Sequence, residues 1–362
     1  MSRQNRFTKE QREARNQIYE IISDYPYYVE EYIEDMFSSN ASPSSLLGYL
    51  HDYKTFFNWL MAEGITDATS MKDIPLSVLE KLPLKSAQSY FSYLLYDLEL
   101  SNNAINRKKS SLRSLFKFLT ERTEDENGES YFYRNVMAKI KLNKDKEDIS
   151  VRAERISKMI ITEEEIFSFL DFIENEYENK INQKSRQYTF FQRDKSRNLA
   201  IISLLLASGI RVGELVNIKL DDININNKKV HVFRKGSKKS VVHFREFAVP
   251  YLKDYLNQRK EIYQVSDDET HLFVTKYKGT AVPMSIRSVQ YIVEKLTKAY
   301  PGINERRSPH KLRHSFATNY AKKNSLYDLM RQLGHNSTNT SILYVNANDE
   351  SARKAIERLD KK

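Results

Sequence analysis

Glycine and proline are scarce in this chain: 9 and 8 among 362 residues. Glycine supplies left-handed turns and proline supplies fixed bends, so the many tight reversals of an all-β fold are out of reach. Long helices joined by polar segments remain, and the apolar residues are spaced to match. Over residues 44–62, Leu47, Leu50, Phe56, Phe57 and Leu60 recur at helical intervals. Similar patterns cover about 86–98 and 102–120, the latter with Ile105, Leu112, Leu115, Phe116 and Leu119 on one side. Residues 199–207 read as a buried helix, with Gly209 placed to end it in the left-handed conformation. Helical patterns return over about 251–263, 285–300, 309–322 and 326–333. One stretch differs. Val230, Val232, Phe233, Val241, Val242 and Phe244 flank Lys235-Gly236-Ser237-Lys238, and β-branched and aromatic runs around a glycine turn indicate a β-hairpin. The expected fold class is mainly α with a small β-sheet (α+β).

Hydrophobic residues make up 40% of the chain, enough for sizeable cores. The longest apolar run, 199–210, is broken by Ser203 and Ser208 and stops at Arg211. It falls short of the roughly 20 apolar residues that span a membrane. The N-terminus is polar and has no signal-peptide core, so a cytoplasmic location is expected. With no Cys, disulfide scaffolds, thiol catalysis and cysteine-based metal sites are excluded. Neither GxGxxG nor GxxxxGK[ST] occurs, so the glycine-rich phosphate loops of nucleotide-binding proteins are absent. Lys and Arg total 58 against 48 Asp and Glu, a net +10 that suits a polyanionic partner such as nucleic acid.

The length suggests about two domains. A basic arm (Arg3, Arg6, Lys9, Arg12, Arg15) gives way to an acidic patch at Glu30, Glu31, Glu34 and Asp35. A helical domain is expected over 1–145, a charge-rich linker over 146–160 and a second domain over 161–362. The second domain opens with a capping box, Thr162 at N-cap and Glu165 at N3. Residues 174–197 are polar and read as a surface excursion. On the helix over 102–120, Arg107, Lys108, Lys109, Arg113 and Lys117 stand between the apolar positions. Such a face either lies against phosphates or simply faces water.

Three short segments carry chemistry. In Pro309-His310-Lys311-Leu312-Arg313-His314, Ser308 can cap and Pro309 suits the first helical turn. His310 and Arg313 then share a helix face. They make either a phosphate site, with bidentate guanidinium and titratable imidazole, or a plain capped helix with a buried histidine. His310 and His314 have the spacing of a zinc pair, yet Lys311 stands where a zinc protease needs glutamate. Second, Arg211 emerges between Gly209 and Gly213, with Glu214 placed to brace its guanidinium; the pair is structural or functional. Third, Gly334 breaks a helix just before His335, and Tyr344 follows.

Arg211, the hairpin lysines led by Lys235, His310-x-x-Arg313, His335 and Tyr344, in this order, resemble the tyrosine recombinase (λ-integrase-like) family. Residues 73–80 and 131–137, with the extended N-terminus, resemble the single-recombinase Xer proteins of the XerS type. The resemblance covers both domains. It implies a helical core-binding domain and a catalytic domain forming a clamp around DNA, and a C-terminal helix for protomer contact. It implies site-specific recombination through a 3′-phosphotyrosine on Tyr344 and a Holliday junction, with a dif-like chromosomal site as substrate. Arg211, Arg313 and His335 would hold the non-bridging oxygens. Lys235 would protonate the leaving 5′-oxygen, His310 would assist proton transfer, and Glu214 would support the site. Arg107, Lys108, Lys109, Arg113, Lys117, Lys238 and Lys239 would touch DNA. No metal and no cofactor are implied. The implied partners are double-stranded DNA with paired inverted half-sites, a homotetramer on two such sites and, at the septum, a DNA translocase of the FtsK type. A mobile-element integrase would use the same residues, and a type IB topoisomerase-like enzyme shares the nucleophile. After Tyr344, Val345-Asn346-Ala347-Asn348-Asp349 departs from the Thr-His common in Xer proteins.

Overall fold

A computed structural model of the chain describes residues 9–143, 151, 154–156, 158–234, 238–303, 307–334 and 338–346. The chain divides into two compact units, Met1–Lys146 and Glu147–Lys362.

The first unit is helical: α1 (Lys9–Ile21), α2 (Tyr27–Ser38), α3 (Pro43–Ala62), α4 (Leu76–Glu80), α5 (Leu84–Tyr96) and α6 (Asn102–Glu121). Proline at the first position starts α3, where its missing N–H costs nothing. Ser101 caps α6 by accepting from the Ala104 N–H. Leu50, Phe57 and Leu60 of α3 and Leu112, Leu115 and Leu119 of α6 are fully buried in one core. Aromatic rings fill much of it, Phe56 and Tyr90 meeting edge to face at 4.9 Å. Two of the buried tyrosines satisfy their hydroxyls on main chain, Tyr25 on Leu50 O and Tyr53 on Ser111 O.

The cationic face expected on α6 is corrected here. Lys108 turns inward onto Asp52, a fully buried carboxylate of α3 that Arg107 also engages. Lys109 donates to Lys141 O and Asn143 Oδ1 and lies over the Phe91 ring. Arg113 reaches Met137 O. Of the five cations, Arg107 and Lys117 keep half or more of the side chain in solvent, and Lys117 pairs with Glu121 one turn on. A buried carboxylate demands paired charge, and α6 supplies it.

In the second unit, α7 (Glu163–Asp171) begins with the expected capping box, Thr162 and Glu165 each holding the other's backbone N–H. Next comes α8 (Arg186–Ser208), which starts well before the apolar stretch. The surface excursion expected over 174–197 is therefore corrected at its end: the helix keeps Arg186, Gln187, Thr189, Phe190 and Gln192 exposed but turns Asp194 and Arg197 inward. These two are buried and paired: Asp194 takes Arg197 and the Tyr263 hydroxyl, and Arg197 reaches Val274 O. Gly209 ends α8 at φ 66°, and a Cβ there would collide with the Phe316 ring.

The short α9 (Val212–Val216) precedes an antiparallel sheet β1 (Ile223–Asn224), β2 (Lys229–Arg234), β3 (Lys238–His243). Val230 and Val242 face each other and are buried, while Phe233 and Val241 point outward. α10 (Val249–Tyr263) leads to a second hairpin that the sequence reading missed, β4 (Val274–Tyr277) and β5 (Thr280–Pro283). Lys278 and Gly279 both have positive φ at its two-residue turn. The unit closes with α11 (Ile286–Ala299), α12 (Pro309–Ala321), α13 (Leu326–Leu333) and α14 (Thr338–Asn346). α8 supplies the middle of its core, with Leu204, Leu205 and Leu206 fully enclosed. Among the described residues no helix is long and apolar enough to cross a membrane. The C-terminal helix expected over 350–359 lies outside the described residues.

Candidate active site

Three helix ends and one strand end of the second unit converge. α8 stops at Gly209, and two residues later Arg211 sits at the N-terminus of α9. Its backbone N–H and its Nη1 both donate to the Glu214 carboxylate, each at 2.9 Å. Glu214 is buried, whereas the Arg211 side chain is 44% exposed, so the carboxylate holds a guanidinium that still faces out. Glutamate three residues on is the geometry that lets one carboxylate cap the helix and fix the arginine together.

α12 brings Arg313 against the same point. Its guanidinium is 2% exposed and spans two helix ends, Nη1 donating to Gly209 O at 2.6 Å and Nη2 to Leu333 O at 2.8 Å. Helix C-termini carry partial negative charge, so a cation is favoured there. Burial, then the neighbouring Arg211, still bring its pKa down from the usual arginine range to about 10. One turn earlier His310 stands at the solvent edge. Its protonated form is disfavoured by desolvation first, then by Arg313 and Arg211, which keeps the imidazole neutral near pH 7.

Tyr344 of α14 is 2% exposed and packs with Phe316, Leu329 and Leu333. Its ring lies 5.3 Å from that of His314, which in turn meets His310 at 4.4 Å. The site thus joins a phenol, a neutral imidazole and two arginines. Arginine forks suit a phosphoryl group, and preorganised cations stabilise charge that builds on its oxygens.

The described residues bring Arg211, Glu214, His310, Arg313 and Tyr344 together. Lys235 and His335 lie outside the described residues, as does the side chain of Lys238. Lys239 is half-exposed on β3, over the Phe233 ring and 3.5 Å from Asp222. Sequence reasoning missed Arg234 and Gln332. Arg234 donates from Nη2 to Gln332 O at 2.6 Å and from Nη1 to Arg331 O at 3.3 Å. Burial lowers its pKa, with Glu214 opposing and Arg211 adding to the shift. Gln332 Nε2 donates to Ser208 O and His243 O, tying α13 to α8 and β3. The one available signal was position, since Arg234 directly precedes Lys235 and Gln332 lies near Gly334.

Residues 161–351 match the model of the phage integrase family. The chain belongs to that family. Relatives named tyrosine recombinase XerS match it over nearly their whole length. A tyrosine recombinase XerS of Streptococcus uberis is 38% identical over 359 residues, 95% of this chain and 99% of its own. One of Lactococcus lactis subsp. cremoris is 40% identical over 344 residues, 92% and 95% respectively. This phage integrase family member is accordingly a tyrosine site-specific recombinase. Its fold is that of the XerH recombinase solved on a palindromic difH substrate, at TM-score 0.62 and 24% identity, covering 89% of this chain and 82% of that one. It also matches a λ integrase(75-356) dimer on a COC′ core site, at TM-score 0.56 and 17% identity, covering 89% and 95%.

Proposed function

We propose that this recombinase cuts and rejoins double-stranded DNA at paired inverted half-sites, and that its cellular role is to resolve chromosome dimers at a dif-like site. The observation that carries the chemistry is the convergence of Tyr344, His310, Arg211 and Arg313. The chromosomal role is supported by likeness to XerS proteins along nearly the whole chain.

The Tyr344 oxygen attacks the scissile phosphorus and the bond to the 5′-oxygen breaks. Tyr344 keeps the 3′-phosphate as an ester, and the 5′-hydroxyl is freed. A phenol of pKa near 10 is a weak nucleophile at pH 7, so its proton must be taken up as the bond forms. His310, neutral at that pH and joined to Tyr344 through the His314 ring, assists this proton transfer. Arg211 and Arg313 bind the non-bridging oxygens, joined by His335. Lys235 gives its proton to the leaving oxygen, and Glu214 fixes Arg211. Because the ester conserves the bond, rejoining needs no nucleotide, and the clamped charge needs no metal. Lys238, Lys239, Arg107 and Lys117 are retained as DNA contacts. Four protomers on two sites exchange strands through a Holliday junction in the cytoplasm, with a septal translocase of the FtsK type to align them.

The test is Tyr344→Phe on a nicked suicide duplex. The variant binds DNA as the parent does and leaves no covalent adduct on a denaturing gel. Adduct that persists moves the nucleophile elsewhere. Sequencing DNA trapped on the parent protein in cells decides the biological role. Capture of one chromosomal locus supports dimer resolution, and capture of the ends of a mobile element overturns it.

A further inference from the structure

Arg234 is the last residue of β2, and Gly334 is the residue that ends α13. The next residue in each case is one that the proposed mechanism uses, Lys235 and His335. The Arg234 side chain crosses from the hairpin to α13 and donates to the carbonyls of Arg331 and Gln332. Both are acceptors at a helix C-terminus, where four carbonyls have no partner within the helix. Gly334, at φ 66°, makes room for this crossing, since a Cβ there would collide with the Arg234 guanidinium. Gln332 ties α13 to the far end of the same hairpin, donating to His243 O, opposite Lys229, at 2.7 Å.

We propose that Arg234 is a positioning residue for cleavage: by fastening the end of β2 to the last turn of α13, it fixes the two points of the chain that immediately precede Lys235 and His335. The inference rests on the proposed role of Lys235 as the acid. Adjacent Cα atoms are about 3.8 Å apart, so freeing Arg234 frees Lys235 at a single remove. A planar fork can serve two carbonyls at once, which the single ammonium of lysine does not reproduce.

The experiment compares Arg234→Ala, Arg234→Lys and Lys235→Ala on two nicked suicide duplexes. One has the ordinary scissile phosphate, and the other carries sulfur in place of the bridging 5′-oxygen. A thiolate leaves without being protonated, so sulfur rescues a misplaced acid. Arg234→Ala is expected to bind a half-site like the parent and melt at a similar temperature. It should cleave the oxygen substrate about 100-fold more slowly, the scale of an ångström-sized misplacement. It should regain about tenfold or more with sulfur, and Arg234→Lys should stay close to Arg234→Ala. Cleavage of the oxygen substrate within about threefold of the parent overturns the proposal. So does an equal loss on both substrates while Lys235→Ala is rescued. If Lys235→Ala is not rescued, the acid assignment fails instead. Arg234 is then judged by a cycle with Gly334→Ala. Coupled losses support the contact as a positioning device, because the clash exists only when both side chains are present, and additive losses overturn it.

Discussion

Arg313→Met removes a cation that is 2% exposed and leaves an unbranched side chain in its place. The cost to the free protein is a balance of two terms. Gly209 O and Leu333 O lose their donors, at about 1–3 kcal/mol each. Against this, the lowering of the guanidinium pKa to about 10 corresponds to about 3 kcal/mol of disfavour for the charged form, which the variant no longer carries. The net lies between about −1 and 3 kcal/mol, so the thermal midpoint should move by only a few degrees to about 10 °C. Cleavage should respond quite differently. Losing one preorganised donor to a developing oxyanion costs about 100- to 1,000-fold, and Arg313 offers a fork. Thermal melting followed by circular dichroism, beside adduct formation on a nicked suicide duplex, reads both quantities on one preparation. A folded variant that cleaves within about tenfold of the parent would refute the assignment of Arg313 to the phosphoryl oxygens.

The pH profile follows from His310, whose pKa lies below 6.5 because burial, then Arg313 and Arg211, disfavour its charged form. The unfolded chain therefore binds more protons there than the folded one. This group's contribution to stability is present above pH 6.5 and is lost as pH falls. The acid limb of the cleavage rate should lie below pH 6.5 and vanish in His310→Gln; a limb above 6.5 counts against a neutral base. Lys108→Met leaves Asp52 with Arg107 alone and should lower stability by about 1–3 kcal/mol in urea unfolding. Its DNA affinity should keep the parent's salt slope, and a slope reduced by about one would return Lys108 to the DNA surface. Gly209→Ala combines a left-handed backbone with a collision against Phe316, costing about 2–4 kcal/mol in urea unfolding, and a change within about 0.5 kcal/mol would mean the turn relaxes freely.

What the sequence made legible was written in local terms. Thr162 and Glu165 form their cap within one turn, Gly209 takes the conformation its neighbours demand, and the β2–β3 hairpin declares itself by valines around a glycine. What it hid depended on distant partners. Asp194 and Arg197 look like solvent-facing residues until Tyr263 and Val274, far along the chain, close around them. Lys108 and Lys109 look like a DNA face until Asp52 and Asn143 claim them. The β4–β5 turn did carry a local signal in Lys278-Gly279, but its strands are only four residues each, too short to stand out. In the site, Arg211, His310, Arg313 and Tyr344 could be picked by their order along the chain. Arg234 could not, being one basic residue among 58 whose importance lies in which two carbonyls it reaches.

Tyr344 shows only 2% of its surface to solvent. A phenol so enclosed is out of reach of stray phosphodiesters, nucleotides and small electrophiles. The resting protein is in this sense safe to keep at working concentration beside a whole chromosome. Tyr344 packs on Phe316 and Leu333, so anything that loosens this packing raises the fraction of molecules able to react, and the apparent rate scales with that fraction. Selectivity for the right DNA can then arise before any bond is made or broken, in whichever contacts raise that fraction.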